Sequence, residues 1–105
     1  MIAAAPPPPP ARVQVVAREF SFVLSRQVIR AGAAIIELRN AGQDAHDLRL
    51  RRVGGTRVWK WPVTQAGGVV DEQVTLRPGR YVLYCSVANH RALGMQATLV
   101  VKSRG

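Results

Sequence analysis

One stretch constrains this chain more than any other: Tyr81-Val-Leu-Tyr-Cys85-Ser-Val-Ala-Asn-His90-Arg-Ala-Leu-Gly-Met95. It holds the sole cysteine, one of two histidines and one of two methionines, the other methionine being Met1. A thiolate, an imidazole and a thioether at Cys-x4-His-x4-Met spacing point to one metal site. Two soft sulfurs with imidazole suit copper best. Taken singly, each residue has a blander reading. Cys85 would be a small buried hydrophobe, and His46, His90 and Met95 would be ordinary core or loop residues. Their joint arrangement argues for ligation.

Strand parity gives the spacing a physical sense. Tyr81, Leu83 and Cys85 alternate on one face, and Met95, Ala97, Leu99 and Val101 alternate on the next strand. Cys85 thus closes one strand facing the core, Met95 opens the following one, and the loop between them carries His90. Gly94 precedes Met95, where a sharply turning chain benefits from having no Cβ. A blue-copper site needs a second histidine, and one more exists, His46. It shares a parity with Leu48 and Leu50, so the imidazole faces inward at the start of a strand.

These segments resemble those of the cupredoxins, the small blue copper proteins such as plastocyanin, azurin, rusticyanin and sulfocyanin. Tyr81–Met95 is similar to the family's last-ligand loop and Asn40–Leu50 to its first-ligand segment. Ala17-Arg-Glu-Phe-Ser-Phe22, Arg30-Ala-Gly32 and Arg77-Pro-Gly-Arg-Tyr81 are also typical, so the likeness runs from about Val13 to Val101. Two departures stand out. Ala88-Asn89 replaces the Pro-Gly that many relatives carry before the second histidine, and Asp47 follows the first ligand where relatives often have a neutral side chain.

The resemblance implies one Cu(I)/Cu(II) ion, with His46, Cys85 and His90 in a plane and Met95 as a weak axial ligand. It implies one-electron transfer between redox partners rather than catalysis, and a periplasmic or extracellular location. Asp47, Asn40 and Ser86 are the candidates to surround the ligands and tie their segments together. In the family the second histidine reaches the surface within an apolar patch. Val87, Ala88, Ala92 and Leu93 would form it here, with Arg91 at its rim. Copper storage or delivery, or an accessory role in a larger membrane-anchored assembly, would use the same ligands.

Other classes fit less well. A structural zinc site wants four Cys or His ligands, and three are present. A binuclear copper centre needs a second cysteine. Multicopper oxidases flank their cysteine with histidines, whereas Tyr84 and Ser86 flank Cys85. A Cys85–His90 nucleophile pair has no evident oxyanion hole and leaves Met95 without a role. The net charge of +9 implies attraction to acidic surfaces, including an acidic redox partner. The basic residues are scattered apart from Arg49-Leu-Arg-Arg52, and no nucleic-acid recognition motif is present.

Alternating short segments separated by turn signals predict an all-β protein, a Greek-key β-sandwich or barrel of about seven to eight strands. No apolar run of about 18 residues spans a membrane, and a monomer is expected. Residues 1–11 read as a flexible Ala/Pro-rich segment and 12–105 as the copper-binding domain. Pro6 to Pro10 favour polyproline II, a semi-rigid spacer of roughly 15 Å. Met1-Ile-Ala-Ala-Ala is too short, and lacks the basic start, for a complete signal peptide. The break in parity between Val13-Val15-Ala17 and Phe20-Phe22-Leu24 predicts a bulge or bend in one long strand region. Thr56 to Gly68 is the least legible stretch. Val58, Trp59 and Trp61 are placed there against the side of the core, and Pro62 argues against a central strand.

Overall fold

The computed structural model describes residues 5–104. The expectation for the first residues, that they form no complete leader, therefore falls largely on Met1 to Ala4, outside the described residues. The nine strands are β1 (Ala11–Arg18), β2 (Ser21–Leu24), β3 (Val28–Arg30), β4 (Gly32–Asn40), β5 (His46–Arg52), β6 (Val58–Thr64), β7 (Val69–Leu76), β8 (Gly79–Tyr84) and β9 (Gln96–Lys102). They form two mixed sheets, ordered β2-β1-β4-β7 and β3-β9-β8-β5-β6. No helix is present among the described residues. The β-sandwich is as expected, with slightly more strands than foreseen.

The extra strand has a clear cause. The predicted bend at Phe20 is a tight hairpin: β1 and β2 pair antiparallel, with Arg18 opposite Ser21 and only Glu19-Phe20 between them. A reversal and a bulge both switch side-chain parity, so the pattern did not separate them. Glu-Phe also lacks the Asn-Gly chemistry that marks two-residue hairpins.

The core lies between the sheets and follows parity. Val13, Val15 and Ala17 of β1 and Ala34, Ile36 and Leu38 of β4 face Leu48 and Leu50 of β5, Tyr81 and Leu83 of β8 and Leu99 and Val101 of β9. Trp61 is buried, and its indole Nε1–H donates across the sheets to the Ile36 carbonyl at 2.9 Å. A buried aromatic of this size carries much of the burial energy, and its polar edge still needs a partner. The phenol of Tyr81 donates to the Arg77 carbonyl at 2.8 Å, closing the turn that leads into β8.

The illegible stretch becomes the edge strand β6. Its register against β5 shifts between His46 and Leu48, which face Thr64 and Trp61, so β6 holds one extra residue there. Pro62 sits in that bulge, one of the few sheet positions that tolerates a residue without an N–H.

Two ends result. Registers place the Glu19-Phe20 turn, residues 41–45, residues 65–68 and residues 85–95 at one end of the sandwich. Ala31, residues 53–57 and Arg77-Pro78 lie at the other.

Candidate metal centre

Strand ends converge at the first of these poles. His46 opens β5 and Cys85 directly follows β8, its neighbour in the sheet. Met95 directly precedes β9 and lies beside Cys85, whose N–H donates to the Met95 carbonyl at 3.2 Å. The loop from Ser86 to Gly94 folds back on itself. His90 N–H donates to Val87 O at 3.0 Å, and Met95 N–H donates to His90 O at 3.1 Å. Ala88, rather than its neighbour Asn89, takes the left-handed conformation, with φ of 45°. Gly94 has φ of 115°, and a Cβ there would stand 3.3 Å from the Phe20 carbonyl. The ligand loop therefore packs tightly on the β1–β2 hairpin at a backbone conformation that favours glycine.

His46 and Cys85 are fully buried and His90 is 6% exposed. Both imidazoles turn Nδ1 toward the sulfur: Cys85 Sγ is 4.0 Å from His46 Nδ1 and 3.6 Å from His90 Nδ1. The three donor atoms lie within 4.8 Å of one another. The Met95 side chain is fully buried in the same core cluster.

Surrounding groups fix this arrangement. Asp47 Oδ1 accepts from the Ser86 N–H at 2.6 Å, and its Oδ2 accepts from the Ser86 hydroxyl. One carboxylate thus ties the His46 strand to the Cys85 loop. Arg49 Nε stands 3.7 Å from Asp47 Oδ2. Asn40 is fully buried and works differently. Its Nδ2 donates to the Asp44 and Thr64 carbonyls at 2.8 and 2.9 Å, and its Oδ1 accepts from Gly42 N–H at 2.9 Å. It shapes the loop before His46 and bridges to β6, without reaching the Cys85 loop.

Two carboxylates that sequence reasoning missed face the outer edges of the imidazoles. Glu19 Oε2 stands 3.8 Å from His46 Nε2, which is buried and has no hydrogen-bond partner among the described residues. Asp44 Oδ2 stands 3.4 Å from His90 Nε2. Glu19 is held by the backbone N–H groups of Gln43 and Asp44. Gly42 makes room for it, since a Cβ there would overlap the Glu19 carboxylate. The Phe20 ring lies 5.0 Å from the His90 ring. The available signal for these residues was Glu19 at the parity break, directly before Phe20.

Burial favours the neutral form of both groups, which readies the His46 imidazole for a metal and opposes the Cys85 thiolate that a metal needs. Burial is the largest cause pushing the His46 pKa below its ordinary value, partly opposed by Glu19. Burial likewise raises the Cys85 thiol, while the backbone N–H groups of Asp47 and Val87 pull it back by favouring the thiolate. Hydrogen bonding from Asp44 N–H leads the causes that lower the Glu19 pKa.

No protein-family model matches the sequence, and no curated protein matches it. Solved structures do. Auracyanin A, a blue copper protein from Chloroflexus aurantiacus, superposes with a TM-score of 0.73 at 18% identity, covering 90% of this chain and 100% of that one. The chain has the cupredoxin fold. Auracyanin from Roseiflexus castenholzii matches with a TM-score of 0.72 at 14% identity, covering 88% of this chain and 97% of that one. A purple cupredoxin from Nitrosopumilus maritimus gives 0.59 at 17% identity, covering 85% and 98%. The fold also occurs within enzymes: a multicopper oxidase matches with a TM-score of 0.65 at 17% identity, 89% of this chain spanning 42% of that one.

The donor set of this cupredoxin-fold chain fits a single copper ion. Two imidazole nitrogens and one sulfur already face each other, and the orphaned Nε2 of His46 is where the proton must sit if Nδ1 is a ligand. Zinc would lack a fourth Cys or His ligand.

Proposed function

We propose that this protein binds one copper ion, which His46 Nδ1, Cys85 Sγ and His90 Nδ1 would hold together with the Met95 thioether, and carries single electrons between redox proteins. The observation that carries this reading is the buried cluster of three donors within 4.8 Å. Copper bound there would supply a Cu(I)/Cu(II) couple. The chain's own residues do the rest. Adjacent strands β5, β8 and β9 hold the ligands, and Asp47 locks two ligand segments together, so the donors keep one geometry in both redox states. N–H groups of Asp47 and Val87 directed at the sulfur favour the thiolate and would tune the potential.

Electrons leave through His90. Its surroundings include Val87, Ala88, Ala92 and Leu93, of which Leu93 is 50% exposed. Such encounters need only a small interface. The Arg91 guanidinium lies 4.1 Å from the Tyr84 ring centroid, at the rim of this patch, where it would steer an acidic partner surface. The protein acts as a monomer, in the periplasm or outside the cell, and is a carrier rather than an enzyme. Cyclic voltammetry with an NMR measurement of electron self-exchange tests this reading. A reversible one-electron wave with fast self-exchange is expected. Slow exchange with ready copper release would assign storage or delivery instead.

A further inference from the structure

The pole opposite the metal centre has a different chemistry. The turn between β5 and β6 and the turn before β8 enclose a cavity of about 570 Å³ lined by Arg52, Arg57, Arg77, Thr56, Thr75 and Trp59, with the Gly54-Gly55 backbone and Tyr81 completing the wall. No carboxylate lines it, and none pairs with these three arginines among the described residues. Two of the guanidinium groups are already oriented. Arg52 Nε and Nη2 both donate to the Pro78 carbonyl, at 3.0 and 2.7 Å. Arg57 stacks on Trp59 with its guanidinium carbon 4.7 Å from the ring centroid. Further cations, Arg12, Arg30, Arg80 and Lys102, are exposed at this end. The six acidic residues lie elsewhere: Glu19, Asp44 and Asp47 at the metal pole, and Glu37, Asp71 and Glu72 along the β4–β7 pair.

Three arginines around one concavity without a counter-charge repel each other, and a bound anion would remove that repulsion. Arginine's planar fork matches phosphate oxygens in pairs of hydrogen bonds. Two threonine hydroxyls and the Gly54 N–H are neutral donors in the same wall, the Gly55 N–H being bonded to the Arg52 carbonyl at 2.9 Å. We propose that this cavity binds a phosphate group, either on a soluble phosphate compound or on a phospholipid headgroup. The second source would seat the protein on an anionic membrane with its metal pole turned outward to meet partners.

The test is a titration of the full chain with inorganic pyrophosphate at constant ionic strength, followed by amide NMR shifts. Saturable shifts are expected at Gly54, Gly55, Arg57 and Arg77. The double variant Arg57→Glu, Arg77→Glu should weaken binding by about tenfold or more. Both side chains are exposed, so folding should survive, and the β-sheet spectrum checks this. The double variant Arg18→Glu, Arg39→Glu makes the same charge change near the metal pole, on side chains that are also exposed, and should alter binding by less than about twofold. Shifts that never saturate, or an equal loss in this second double variant, would overturn the site by reducing it to diffuse charge attraction. Sedimentation with phosphatidylglycerol vesicles separates the sources. Binding that pyrophosphate competes away assigns the headgroup, whereas pyrophosphate binding without vesicle binding assigns a soluble phosphate compound.

Discussion

The two ends of this sandwich share their strands and differ in almost everything else. At the metal pole, polar side chains are buried: Asn40, His46, Asp47, Thr64 and His90. Carboxylates stand beside both imidazoles. At the other pole the polar groups are arginines around an open cavity, without an acid among them. A net charge of +9 describes neither end. The contrast teaches that the metal site is held by a buried polar network, Asp47 to Ser86 and Asn40 to its neighbouring carbonyls, that leaves His46 Nε2 unbonded, while the excess positive charge lies mostly away from it. Arg49 beside Asp47 and Arg91 on the Tyr84 ring are among the few cations close to it.

Substitutions should therefore act unequally at the two ends. The largest effect is expected from Asp47→Ala, which frees Ser86 from the His46 strand and removes hydrogen bonds to a nearly buried carboxylate. A loss of about 1–3 kcal/mol in chemical denaturation is predicted, with a perturbed copper spectrum. Arg57→Glu at the far pole should leave both unchanged. Equal losses in the two variants would erase the distinction.

Glu19→Gln comes next. It removes the negative charge 3.8 Å from His46 Nε2, so the reduction potential should rise, because the oxidised centre carries more positive charge. Voltammetry checks the direction. A lower potential would mean that Glu19 does not act on the centre through its charge.

A third effect concerns the metal-free protein and pH. His46 has a depressed pKa, so its neutral form is favoured in the folded state. Stability from this source is complete above the ordinary value of 6.5 and is lost as pH falls through the folded value. Glu19, also depressed, adds a loss of the same sign below its ordinary 4.5. Cys85 is shifted upward, so stability is complete below its ordinary 9.0 and declines as pH rises through the folded value. Melting temperature should thus form a plateau between about pH 6.5 and 9. Copper should flatten the acid side by holding His46 unprotonated, and an acid side unchanged by copper would contradict that assignment.

The smallest change expected is for Arg91→Glu. Electron transfer to an acidic partner should slow several-fold at low salt, with the visible spectrum unaltered. A rate independent of both the substitution and salt would move the docking face elsewhere.

Much of this was legible in sequence because it is local. The Cys85–His90 spacing and the alternation of Leu48, Leu50, Leu83 and Leu99 are short-range patterns, and the structure brings the first pair together and buries the leucines accordingly. What escaped is set by contacts distant along the chain. Glu19 meets His46 only because β1 pairs in parallel with β4, bringing Ala17 beside Asn40. Asp44 reaches His90 across a separation that no periodicity encodes. The Glu19-Phe20 hairpin was hidden because a reversal and a bulge leave the same trace in parity. The arginine cavity gathers residues from three segments, each of which reads as solvated surface by itself.

The most direct test adds one equivalent of Cu(II) to the pure protein and to its Cys85→Ser variant and records visible and EPR spectra. Intense absorption in the orange-red region with narrow copper hyperfine splitting is predicted for the first and neither feature for the second. A protein that stays colourless and metal-free in excess copper would contradict the proposed centre.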